Sequence, residues 1–319
     1  MRALSVIALF LIIYSTTGHS KMLVRKNYDI DSSYDLRDQK SWTSLGRTHE
    51  QSFKILFDIL DRSASAREIV ARAKRKASEQ GLRLIDILQV GDVSVCDMTL
   101  VRRFSPTDPS KITYESVSKV YLNRHLKVLD GALDLVHELT HYSMRDVFNP
   151  YQENFTLPEF MASTIEGRGG EVDAYMVECQ VLSELAPRLE RNHSVCQKIR
   201  DPSTAKLSRF HAAKEFYKVG DDYKQFWKVA KRHKFDKGEV FPVTDDDATF
   251  VSSVSNTSYP LAALLDYEKI VKRSCDNDLR RIASFNSGTG RFPASDSSSV
   301  KKVLEELERS YKQRCQKFN

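Results

Sequence analysis

The sequence predicts an α+β fold dominated by helices, with a small sheet and a helical C-terminal region. Two kinds of segment carry that reading. Around 65–77 and 129–139 apolar residues recur at helical spacing, whereas 82–104 and 112–123 are rich in β-branched residues and alternate in polarity. A third observation is that patterning beyond residue 200 is helical again, broken by short Gly, Pro and Asp stretches. With 319 residues, 41% of them hydrophobic and 29% charged, the chain holds material for one large domain or two smaller ones, which excludes a disordered or fibrous chain.

Arg2 precedes an apolar run from Ala3 to Tyr14, followed by small and polar residues to Ser20. This is the layout of a signal peptide over 1–20, with an uncleaved anchor as the alternative; no later stretch is long and apolar enough to span a bilayer. The expectation is an exported protein, secreted or periplasmic, with no stable membrane insertion after signal cleavage. Residues 21–50 read as a polar N-terminal arm. A helix is expected over Phe53–Leu60, and another behind a capping box of Ser65 and Glu68, closed by Gly81. One or two strands are expected in 82–104 and another over Ile112–Asn123, with Asp130 as N-cap of the helix that follows. Gly167, Gly169 and Gly170 break the chain before a helix over 171–185, which Pro187 stops. Helices are expected at about 205–218 and 222–234, with Phe210, Tyr217, Phe226 and Trp227 buried. Residues 284–299 read as a Gly/Ser/Pro-rich loop and about 300–316 as a final helix.

In an oxidising compartment the five cysteines are expected to form disulfides; pairing local helical segments gives Cys179 with Cys196 and Cys275 with Cys315, leaving Cys96 free, although sequence alone does not fix the connectivity. The formal charge of +6 is dispersed over solvated helix faces, so no nucleic-acid partner is expected. Three sequons begin at Asn154, Asn192 and Asn256.

The stretch "DLVHELTHYSMRDV" carries His137, Glu138 and His141 in the order HExxH. Two histidines at i and i+4 share a helix face and offer two imidazole ligands to zinc from one rigid element. Glu138, one residue after the first histidine, then reaches a metal-bound water without being a ligand, the position of a general base. Packed as plain core residues, the two histidines would flank a buried Glu138 with no evident partner, at high cost.

"HELTH" behind a strand "KVYLN", with a later helix opening "GGEVDAY", resembles the zincin metallopeptidases, and within them the gluzincins, whose third ligand is a glutamate on a following helix. The resemblance covers roughly residues 112–185. It implies one zinc ion per chain held by His137, His141 and Glu171, with Glu138 as catalytic base, and a peptide or protein as substrate. The absence of any histidine in 142–192 argues against the metzincin pattern. Glu178, two helical turns after Glu171, is the next choice for third ligand. Where many gluzincins have an acidic residue four positions after that ligand, this chain has Tyr175, so the partner that orients a histidine stays open, as does the oxyanion-stabilising residue among Tyr142, Tyr175 and Tyr259. The expected organisation places a zincin-like metallopeptidase domain at 51–200, its small sheet packed on the HExxH helix, and a helical region at 201–319 completing a cleft. The alternative is a zincin fold that binds a partner without turnover. Oligomeric state is not legible in the sequence.

Overall fold

The structure, a computed structural model, describes residues 40–105, 111–152, 155–235, 242–286 and 297–315. Helices α1 (His49–Leu60), α2 (Ala64–Glu79) and α3 (Leu84–Ile87) lead into strands β1 (Leu88–Gly91), β2 (Val95–Phe104) and β3 (Ile112–Asn123). The sheet has order β1-β3-β2, with β1 parallel and β2 antiparallel to β3. The chain crosses the end of β3 between Gly91 and Val95, which leaves β2 as an outer strand. Helix α4 (Val128–Met144) carries the HExxH motif. It is buried on nearly every side, because β2, β3, α1, α2 and α6 (Glu171–Leu185) all pack against it. A helix wrapped this way must be apolar around most of its circumference, and Leu133, Leu135, Val136 and Leu139 make it so.

Trp42 fixes the start of α4. Its ring lies so close to Gly131 that a Cβ there would meet ring atoms at 3.0–3.1 Å, and its indole N–H donates to the Asn123 carbonyl at 2.8 Å. The end of the 21–50 segment is therefore part of the core, not a loose arm; a lone tryptophan in a polar stretch gives no periodic signal of this. Residues 1–39, and with them the expected signal peptide, lie outside the described residues.

After α4 come α5 (Leu157–Ile165), α6, and the short α7 (Pro187–Glu190) and α8 (Ser194–Lys198). Then follow α9 (Arg209–Phe216), α10 (Tyr223–Arg232), α11 (Tyr259–Asn286) and α12 (Ser297–Cys315). Cys179–Cys196 joins α6 to α8, Cys275–Cys315 joins α11 to α12, and Cys96 on β2 is unpaired, as expected. By chain entropy, loops of 17 and 40 residues are worth about 3 and about 4 kcal/mol of stability. One apolar core runs through both halves, from Trp42 and Leu56 to Leu264 and Cys315. No described helix is long and apolar enough to cross a membrane.

Several local expectations are corrected. The N-cap of α2 is Ser63, whose hydroxyl accepts from Ala66 N; Ser65 and Glu68 instead bind Glu184 and Arg72. Asp130 sits inside the first turn of α4, where the helix dipole favours a carboxylate, and Lys127 holds the cap position. Phe210 is 65% exposed, because α9 buries the face of Ala212 and Phe216, while Tyr217, Phe226 and Trp227 are buried as expected. Helices α11 and α12 extend into 284–286 and 297–299, and the rest of the expected loop, 287–296, lies outside the described residues. Sequence patterning leaves α11 unassigned beyond this edge. Its first turns, Tyr259–Leu264, are apolar on all sides and its later turns polar, so no single period emerges.

Candidate metal centre

Three side chains converge where α4 meets the start of α6. His137 Nε2 lies 3.5 Å from Glu171 Oε2, and His141 Nε2 lies 3.3 Å from Glu171 Oε1. All three residues are buried, and one donor atom from each lies within 4.8 Å of the others. These separations are long for charge-assisted hydrogen bonds. They match the edge of a tetrahedron, about 3.3 Å, drawn by ligands about 2.0–2.1 Å from zinc. Glu171 Oε2 is buried and without a hydrogen-bond partner, the kind of orphaned acceptor that a metal ion satisfies.

The far nitrogens of both rings are tied down. His137 Nδ1 lies 2.9 Å from Glu178 Oε2, and His141 Nδ1 lies 2.8 Å from the Gly169 carbonyl. An ionised carboxylate only accepts, so His137 Nδ1 carries a proton. His141 Nδ1 meets the accepting Gly169 carbonyl at 2.8 Å, its shorter contact, and also the donating Arg145 Nη2 at 3.1 Å, and each Nε2 is left to face Glu171. Glu178 therefore orients His137, the role that sequence reading left open while treating Glu178 as a substitute ligand. The acidic partner stands seven positions after Glu171 instead of four. Tyr175, at the intermediate position, sets the edge of its ring against His137 with centroids 4.8 Å apart, in line with residues 171, 175 and 178 sharing one face of α6.

Local backbone explains how α6 reaches the centre. Gly169 has φ +70°, and a Cβ there would come within 2.6–2.8 Å of the end of α4 at Met144 and Arg145. Only glycine permits both that φ and that approach. Its N–H donates to Asp173 at 2.8 Å, so Asp173 is a capping charge, and its carbonyl accepts from His141 and from Arg145 Nε at 3.2 Å. Arg145 also places Nη2 3.7 Å from Glu171.

Electrostatics follow from burial. For Glu171, burial opposes the charge, but His141 and His137 outweigh it and hold the carboxyl well below its usual range. For His137, burial likewise opposes the charge, and Glu171 and Glu178 overcome it, pushing the metal-free imidazole up to about 10. A metal at this place thus displaces a proton. Glu138, 5% exposed, makes no hydrogen bond or ion pair among the described residues. Burial raises its pKa, against the lowering effect of His141 and His137.

Other expectations resolve simply. Tyr142 directs its hydroxyl toward Gln80 at 3.5 Å and burial pushes it up to about 12; Tyr259 packs on Phe216. His233 pairs with Glu268 at 3.1 Å and His125 is exposed. His193, with Cys179 and Cys196, forms a second buried group of metal-binding residue types, but both sulfurs are committed to the disulfide. Comparison with protein-family models, curated proteins and solved structures finds no match.

Proposed function

We propose that the chain is an exported zinc-dependent peptidase of the zincin type, with His137, His141 and Glu171 as ligands of one zinc ion and Glu138 as general base. The observation that carries this reading is the shared orientation of the two imidazoles: both Nδ1 atoms are engaged, and both Nε2 atoms face a glutamate with an orphaned oxygen. Its likeness to the gluzincins lies in the motif, the third-ligand glutamate on a following helix and the small sheet beside the motif helix. The two disulfides are compatible with export.

Bound zinc supplies a water that ionises near neutral pH and a positive charge for the scissile carbonyl. Glu138, unpaired and with a raised pKa, takes the proton from the attacking water onto its carboxylate and returns it to the leaving amine. Glu178 holds His137 in the ligating tautomer, Gly169 orients the His141 ring, and Tyr175 packs against His137. The substrate is a peptide or protein.

Zinc analysis and a broad peptide-hydrolysis assay test the proposal together. Expected are one zinc per chain, lost in His137→Ala and His141→Ala, and chelator-sensitive cleavage that falls by about 10²- to 10⁴-fold in Glu138→Gln while zinc is retained. Unchanged activity in Glu138→Gln would refute the mechanism. A second reading, a zincin fold that binds without turnover, is favoured by one feature: the ligand side chains are only 2–11% exposed, and Arg145 crowds Glu171. Stoichiometric zinc without any cleavage would select it.

A further inference from the structure

Beside the centre lies a cavity of about 510 Å³. Arg145 belongs to both, since it lines the cavity and stands 3.7 Å from Glu171. One wall of the cavity is β2 from Val95 to Leu100, and the facing wall is α11 from Asp266 to Asn277. Among the described residues β2 is outermost in the sheet, so its far edge offers unpaired main-chain N–H and C=O groups to an extended chain.

The helical wall is cationic. Lys269 and Arg273 line this cavity and also an adjoining one of about 490 Å³, where Lys272 and Arg280 join them. Positions 269, 273 and 280 fall within one narrow stripe of a helix. Against the five cations, counting Arg145, stand three carboxylates: Asp266, which holds Lys269 at 3.2 Å, Asp276, and Asp97 on the strand side. Lys272, Arg273 and Arg280 are exposed and make no ion pair among the described residues. A charge run on a helix is ordinarily a solvated face. Here Lys269 and Arg273 instead line a cavity that the outer strand β2 also lines and that Arg145, 3.7 Å from Glu171, links to the candidate metal centre. An occupant fitting both walls is an extended peptide with carboxylate side chains directed at α11.

We propose that this cavity selects peptides carrying acidic side chains, with Lys269 and Arg273 as the specificity-determining residues. As a statement about substrates, the proposal rests on reading the centre as a peptidase. The attraction acts between solvated charges, so it weakens as salt shortens the screening length to about 8 Å at physiological ionic strength.

The zinc-loaded full chain is incubated with a chymotryptic digest of a proteome, and the cleaved bonds are read by mass spectrometry. Expected is a several-fold enrichment of Asp and Glu near the cleaved bond, abolished in Lys269→Glu/Arg273→Glu. It is kept in the charge-matched control Lys54→Glu/Arg62→Glu, two exposed positions away from the cavity. Cleavage without acidic enrichment, or enrichment that survives Lys269→Glu/Arg273→Glu, overturns the inference. Absence of all cleavage counts against the peptidase reading instead. The inference is then decided by fluorescence anisotropy on zinc-loaded Glu138→Gln, with labelled peptides alternating alanine with glutamate or with lysine. About tenfold tighter binding of the glutamate peptide at low salt, lost in the Lys269→Glu/Arg273→Glu background, supports selection of acidic peptides; equal affinities overturn it.

Discussion

Glu178 Oε2 lies 2.9 Å from His137 Nδ1, so the carboxylate next in line after Glu171 on the same face of α6 serves the back of the imidazole and not its front. Its removal should leave all three ligands present but His137 free to turn or change tautomer. Glu178→Ala is expected to weaken zinc binding by about 10- to 100-fold, the usual cost of losing a partner that orients a ligand. Glu178→Gln retains a carbonyl acceptor and should recover part of the loss. Competition with a chromogenic chelator measures both, and wild-type affinity in Glu178→Ala would show that the contact is dispensable.

Gly169 stands between the two helices of the candidate metal centre and makes a second prediction. In Gly169→Ala the new Cβ would clash with Met144 and Arg145 backbone, and φ +70° would be strained for an L side chain. The expected relief is a shift of the turn, which takes the carbonyl away from His141 Nδ1. Thermal unfolding should show a loss of about 1–3 kcal/mol, and zinc affinity should fall together with it. Gly167→Ala serves as a comparison outside the His141 contact: it should destabilise through Ser163 without a matching specific loss of metal.

Much of this arrangement was legible where one local signal was sufficient. HExxH puts two ligands on a single helix, so no tertiary information is needed to pair His137 with His141. Strand β3 and helix α6 have the bounds expected for them, because alternation in one case, and Gly-Gly before and Pro187 after in the other, mark their ends. The cysteine pairing matches a grouping by proximity along the chain, but five cysteines alone do not fix connectivity, and it is the packing of α6 on α8 and α11 on α12 that decides it. The role of Glu178 was not readable. Helical periodicity puts it on the face of Glu171 but does not say which ring nitrogen each carboxylate meets; that depends on how α6 slides along α4. The cationic wall of the cavity was hidden for a related reason, since α11 lies more than a hundred residues from the motif and has no clean period.

A buried ion cluster clasps the strand β2 to the C-terminal helices. Asp278, fully buried, is bound by both Arg102 and Arg314, and the Arg102 guanidinium lies 3.6 Å over the ring of Tyr151. Asp278→Asn leaves two guanidinium groups without their counter-charge in a site closed to water. A destabilisation of about 3–5 kcal/mol is expected in urea unfolding. Arg103→Ala breaks an exposed pair with Glu115 on the same strand and should cost under about 1 kcal/mol. Similar values for the two variants would mean that the cluster is solvated and not buried.

Glu184 predicts a pH dependence whose sign is fixed by its surroundings. Its carboxylate, near the end of α6, accepts hydrogen bonds from the hydroxyls of Ser63 and Ser65, both at 2.6 Å, and from Ser65 N at 3.2 Å, and so holds the start of α2. Partial burial works against the charge, but these bonds overcome it and bring the carboxyl down to about 2. A pKa depressed by folding means that the stabilisation is complete above the unfolded value, about 4.3, and is lost as pH falls from there through about 2. Because the side chain is exposed, solvent screening limits the effect to about 1 kcal/mol. Glu184→Gln should therefore be less stable than wild type by roughly that amount at pH 7, and the two unfolding curves should converge as the pH approaches 2. A difference that stays constant across this range would assign the loss to packing of the side chain and not to its charge.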